Sequence, residues 1–172
     1  MSFCARTRRP EAWLALLVLL GASGCSLFSS DPVFFPVCVK LEASPRLNWF
    51  RGSPHTVFAR VAALSSSEAF EAAKVDALLG DQPPFLPGMV GAPRQAHIHP
   101  GTTTTVLLDA VNGQTFGSVG VVVGYYQPLG KSRLVVPTKD LQTDSCVVVS
   151  LGESGIEDAV ETVPAPTPTP ED

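Results

Sequence analysis

Thr115-Phe116-Gly117-Ser118-Val119-Gly120-Val121-Val122-Val123-Gly124-Tyr125-Tyr126 carries no charge and is dense in β-branched and aromatic residues. Such a composition suits a pleated, half-buried surface and predicts a strand from Thr115 to Tyr126. A period of two places Val119, Val121, Val123 and Tyr125 on one face. Gly120 and Gly124 fall on the other, where small residues permit close packing or strong bending. Asn112-Gly113, just upstream, is the preferred dipeptide of a two-residue hairpin turn, and Thr102 to Val111 before it is another β-branched run.

Working outward, the same signal recurs. In the run from Val33 to Ala43, Val37, Val39, Leu41 and Ala43 alternate with Cys38, Lys40 and Glu42, while Pro36 confines its start to an edge or lead-in. Further strands are predicted for Thr56 to Leu64, from about Gln95, for Arg133 to Pro137 and for Cys146 to Leu151. His99-Pro100-Gly101 and Pro128-Leu129-Gly130 are turns by their Pro and Gly content. Only one stretch changes period. Ser65 and Glu68 form a capping box, Phe70, Ala73, Ala77 and Leu78 fall at helical spacing, and Gly80 ends the segment. Lys74 and Asp76 mark a break into two short helices, and residues 81–93 are predicted irregular. Many short strands with one helical insertion predict a mainly β protein, a β-sandwich over residues 33–152. The acidic, Pro/Thr-rich tail over 153–172 is predicted to be disordered.

The N-terminus carries Arg6, Arg8 and Arg9, an apolar run from Ala12 to Leu20, and Ala22-Ser23-Gly24-Cys25. A basic region, a short apolar region and small residues make a signal peptide over residues 1–24, too short in its apolar part to span a bilayer. The cysteine directly after Ala-Ser-Gly resembles a bacterial lipobox, which predicts lipidation of Cys25 and a lipidated tether over residues 25–32. Each buried methylene contributes about 0.8 kcal/mol, and more than one acyl chain is needed for stable anchoring. Ser26 after the cysteine, rather than an acidic residue, predicts sorting to the outer membrane.

Removing the signal takes three of the 12 basic residues and one of the 16 acidic ones, leaving a net charge of −6. An acidic surface of this kind excludes nucleic acid as a partner. Cys4 leaves with the signal and Cys25 goes to the lipid, so Cys38 and Cys146 remain, in a compartment where disulfides persist. A bridge between them is predicted, although sequence does not supply their separation and two buried thiols that never meet is the other reading.

Catalytic patterns do not assemble. His97 and His99 form an H-x-H pair, but a zinc site needs three or four ligands, and only His55 and scattered carboxylates remain. No G-x-S-x-G elbow occurs, and Gly117 to Gly120 precede no helix that could cradle a phosphate. No enzymatic activity, metal or cofactor is predicted. The loop Pro45 to Pro54 is different, because it gathers Leu47, Asn48, Trp49, Phe50 and Arg51 between two strands. Trp and Arg are enriched where interface energy concentrates, and loops on stiff sandwiches carry binding. The same aromatics could equally fold back to cap the sandwich.

The ordered series of motifs resembles the outer-membrane lipoproteins of type VI secretion, the TssJ (VasD-like) family. It begins with the lipobox and Val37-Cys38-Val39-Lys40-Leu41-Glu42-Ala43-Ser44 and continues through Leu47-Asn48, Gly52-Ser53-Pro54 and Val57 to Leu64. Ala69-Phe70, Leu78-Leu79, Pro100-Gly101 and Gly120 to Tyr126 complete it, over roughly Cys25 to Leu151. Where the family carries Trp-Arg after the aromatic strand, this chain has Ser132-Arg133. The resemblance implies a transthyretin-like sandwich of two sheets and a non-enzymatic role anchoring the secretion membrane complex at the outer membrane. It implies a partner, the periplasmic C-terminal region of the inner-membrane TssM-like subunit, and makes Leu47, Asn48, Trp49, Phe50 and Arg51 the contacting loop. A rival reading is a ligand-binding lipoprotein in which Gly120, Gly124, Tyr125 and Tyr126 line a small-molecule site.

Overall fold

The computed structural model describes residues 36–109, 115–139, 141 and 145–164. The signal peptide, Cys25 and its tether, the Asn112-Gly113 turn and the Pro/Thr run after Pro164 lie outside these residues. In chain order the elements are β1 (Val37–Ala43), β2 (Val57–Leu64), α1 (Glu68–Ala72), α2 (Val75–Leu79), β3 (Met89–Ile98), β4 (Thr103–Leu108), β5 (Ser118–Gly124), β6 (Arg133–Pro137), β7 (Ser145–Leu151) and β8 (Ile156–Pro164). They form two four-stranded sheets, ordered β4-β1-β7-β8 and β3-β2-β5-β6. All pairings are antiparallel except β1 with β7.

The alternation predicted for β1 and β5 is the one that packs. Val37, Val39 and Leu41 meet Val119, Val121 and Val123 across the sandwich, with Val57, Ala59 and Val61 of β2 and Val147 and Val149 of β7 completing the core. Burying an aliphatic side chain of this size contributes about 1.5–3 kcal/mol, so this interior is the main source of stability. Cys38 and Cys146 are directly opposed in the parallel β1/β7 pair, with Cα atoms 4.5 Å apart, and are joined by a disulfide. Register therefore supplies the proximity that sequence alone leaves open.

The outer face of the second sheet is buried as well. Ala62, Leu64 and Val122 pack there against Phe70 of α1, Leu78 of α2 and Met89. A Cβ on Gly120 would lie 2.7 Å from the Phe70 ring and 2.9 Å from Leu64 Cδ1, so the missing side chain is what lets the ring reach the sheet. Helices of five residues are not stable alone. Two arginines of the sheet hold them by carbonyls at their C-terminal ends. Buried Arg60 donates to the Leu78 carbonyl at 2.6 Å, and Arg133 donates to the Phe70 and Ala73 carbonyls at 3.1 and 2.5 Å.

Three expectations need correction. The cap of α1 is Ser67, not Ser65, whose hydroxyl instead donates to the Gly88 carbonyl. The irregular segment predicted over 81–93 ends early, because β3 begins at Met89 and accommodates Pro93 on an edge strand beside a register shift at Val61/Ala63. The stretch predicted to be a disordered tail from Glu153 contributes β8, which pairs with β7, so the sandwich extends to Pro164 rather than ending at residue 152. Ile156 is buried in the core at its start. Acidic residues read as solvated tail are compatible with an edge strand, which is where β8 lies.

Candidate docking end

Four connections meet at one end of the sandwich: residues 44–56, 99–102, 125–132 and 152–155. The first is tied down before it turns outward. Leu47 is fully buried in the core, and Asn48, at φ 49°, is buried with its Oδ1 accepting the Tyr126 N–H at 2.9 Å. Asn tolerates this left-handed conformation better than most residues. Trp49 N–H donates to the Glu153 carbonyl at 2.9 Å, which fixes the loop to the β7–β8 turn. Phe50 and Ser53 exchange backbone hydrogen bonds of 2.9 and 3.2 Å around Arg51 (φ 51°) and Gly52 (φ 85°). Positive φ at both central residues is the geometry of a tight primed turn. It sets Phe50 and Arg51 at the tip.

The rings then order themselves. Phe50 and Tyr126 lie 5.3 Å apart between centroids, and His55 meets Tyr126 edge-on at 5.3 Å. The His55 Nε2 sits 3.1 Å from the Phe50 carbonyl and 3.2 Å from the Ser53 hydroxyl, bracing the turn from behind. Arg46 lies over the Trp49 ring at 4.6 Å while pairing with Glu153 at 2.6 Å, and Arg51 lies 5.1 Å from the Phe50 ring. Leu129 and Gly130 N–H groups both donate to the Ser154 carbonyl, at 3.1 and 3.2 Å, which pins the 125–132 loop to the same turn. Trp49 is 37% exposed, Tyr126 64% and Leu129 88%. The end of the sandwich thus presents an apolar surface with two guanidinium groups, braced from below.

The five predicted loop residues divide. Trp49, Phe50 and Arg51 face outward or lie at the tip, whereas Leu47 and Asn48 are buried and act as supports, which corrects their placement as contact residues. Sequence reading missed Tyr126 and Leu129 as members of this surface. The available signal was a Leu inside a Pro-Leu-Gly turn, where an apolar side chain has no core to enter. The residues of the rival ligand site do not converge. Gly120 and Gly124 face Phe70 and Leu79 beneath the helices, while Tyr126 belongs to the loop surface. The Tyr125 hydroxyl is buried with no hydrogen-bond partner among the described residues, and burial, then the nearby Glu157 charge, pushes its pKa up. His97 lies 5.3 Å from the Phe58 ring and His99 Nδ1 is 2.9 Å from the Thr56 hydroxyl, so the H-x-H pair is divided between separate neighbours.

Fold and site together define a mainly β sandwich of two four-stranded sheets with helices on one sheet and a braced aromatic surface at one end. Solved structures share that architecture. The type VI secretion lipoprotein TssJ1 of Pseudomonas aeruginosa aligns with a TM-score of 0.60 at 23% identity, covering 79% of this chain and 100% of that one. Lip of Serratia marcescens, a membrane-bound component of the type VI secretion system, aligns at 0.59 and 20% identity, covering 74% and 96%. A chain in a structure described as the TssM C-terminal domain from EAEC aligns at 0.59 and 17%, covering 76% and 98%. No curated protein matches in sequence. The T6SS-SciN family model, described as type VI secretion lipoprotein, VasD, EvfM, TssJ, matches residues 36–154, and the chain belongs to that family.

Proposed function

We propose that this lipoprotein anchors the type VI secretion membrane complex at the outer membrane by binding the periplasmic C-terminal region of the TssM-like inner-membrane subunit. The role is non-enzymatic. The observation that carries it is the placement of the docking end. β1 starts at Val37, twelve residues after position 25 and its predicted lipid, and runs straight to the 44–56 loop. Seven residues of strand separate these ends by roughly 20 Å. A chain held by its N-terminus therefore projects Trp49, Phe50, Arg51, Tyr126 and Leu129 away from the membrane. Aromatics held by backbone bonds offer large apolar area with little side-chain entropy to lose, and the guanidinium groups of Arg46 and Arg51 suit an acidic or carbonyl-rich counterface.

The test is a pair of variants. Cys25→Ser abolishes lipidation and outer-membrane fractionation while leaving binding in solution intact. The Trp49→Ala, Phe50→Ala double variant keeps its lipid and its thermal unfolding midpoint but loses about thirtyfold or more in affinity for the TssM-like region, measured by calorimetry. Undiminished affinity in the double variant refutes the assignment of this surface.

A further inference from the structure

Among the described strands, four lie at sheet edges: β3, β4, β6 and β8. Exposed edges template pairing with other chains, and proteins guard them with charges and prolines. β3 contains Pro93 and Arg94, β6 begins at Arg133 and ends at Pro137, and β8 carries the exposed Glu157 near its start. β4 is Thr-Thr-Thr-Val-Leu-Leu, with neither charge nor proline. The Ala43 N–H donates to the Thr102 carbonyl at 2.9 Å, which sets the phase of the β1/β4 ladder. In antiparallel alternation, Thr104, Val106 and Leu108 then direct their backbone groups to β1, and Thr103, Thr105 and Leu107 direct theirs to the free side. The Leu107 side chain is 56% exposed.

Among the described residues the space beside this edge is open. A cleft of about 430 Å³ separates β4 from β3, lined by Arg94, Ala96 and His97 on one side and Thr104, Val106 and Asp109 on the other. Arg94 and Asp109 pair across it at 2.9 Å, which ties the two sheet edges at its far end. At its near end β4 is continuous with the docking surface, since Gly101 N–H donates to the Ser44 carbonyl at 3.1 Å and Gly101 abuts Pro45.

We propose that an extended segment of the partner docked on the 44–56 loop continues along β4 and adds a fifth strand to the β4-β1-β7-β8 sheet. The inference rests on the docking reading above. Main-chain hydrogen bonds to Thr103, Thr105 and Leu107 supply affinity, and alternate side chains entering the cleft supply selectivity. Those side chains face Ala96 and Val106, so the segment alternates apolar residues toward the cleft with polar residues outward. A second copy of this chain fits less well. Antiparallel pairing of two β4 strands would turn one docking end toward the membrane that holds both copies by their N-termini.

Amide hydrogen exchange of the full lipidated chain in detergent, with and without the purified TssM-like C-terminal region, tests this. The Thr105 and Leu107 amides are expected to exchange freely alone and to become protected in the complex, while Thr104 and Val106 are protected in both. Thr105→Pro removes an outward N–H and is expected to weaken binding about tenfold with an unchanged unfolding midpoint. If the 44–56 amides become protected but Thr105 and Leu107 do not, docking stands and strand addition is overturned. Absence of any binding overturns both. Protection of Thr105 and Leu107 that grows with the chain's own concentration, without partner, assigns the edge to self-association and also overturns the proposal.

Discussion

Residues 44–56 precede β2 and residues 65–88 follow it, and both are Ser- and Pro-containing connections that carry aromatic side chains. The first presents Trp49 and Phe50 at the surface, while the second buries Phe70 and Leu78 against the sheet. What lies underneath makes the difference. Phe70 has the hollow over Gly120 to fill; in the 44–56 loop the buried places are held by Leu47 and Asn48 instead. Backbone bonding differs in the same sense. The insertion hangs on Arg60 and Arg133 of the sheet, whereas the 44–56 loop satisfies itself through Phe50–Ser53 and borrows Glu153 for Trp49. An exposed aromatic is stable in place when the backbone beneath it is satisfied without it.

The comparison breaks first at Phe70. Phe70→Ala should cost about 3–5 kcal/mol in denaturant unfolding, because it empties the hollow over Gly120 and removes the cover from Leu64 and Val122. Affinity for the TssM-like region should change little. Equal loss of affinity would mean that the two connections are one mechanical unit.

The disulfide lies in the other sheet, between β1 and β7. Replacing Cys38 and Cys146 together by Ala should lower stability by about 2–5 kcal/mol, since the bridge closes a sequence separation of 108 residues. Binding measured on the folded fraction should be retained. A variant that folds normally but no longer binds would show that strand β1 transmits strain to the loop.

Asn48 sharpens the contrast inside the 44–56 loop itself. Asn48→Ala removes the acceptor of the Tyr126 N–H and places Ala at φ 49°, which should cost about 1–3 kcal/mol. Unlike Trp49 or Phe50 truncation, it should lower affinity and stability together. Calorimetric binding alongside thermal unfolding separates the two classes; an Asn48→Ala protein with normal stability and lost affinity would return Asn48 to the contact surface.

Much of the sandwich was readable from local pattern. The alternation in β1, the face assignment of Val119, Val121 and Val123 against Gly120 and Gly124, the broken helical insertion and the cysteine pairing all reappear in three dimensions. Period two and period 3.6 are properties of neighbouring residues, and a single leftover pair of cysteines is a matter of counting. The tertiary structure alone decided that Leu47 and Asn48 support rather than touch, that β8 follows the turn at Glu153, and that Tyr126 stacks on Phe50. Those outcomes depend on contacts between segments 76 to 107 residues apart, such as Tyr126 with Phe50 and Arg46 with Glu153. A chain's local chemistry states which residues can be buried or exposed; only the closing of the two sheets over one another chooses among them.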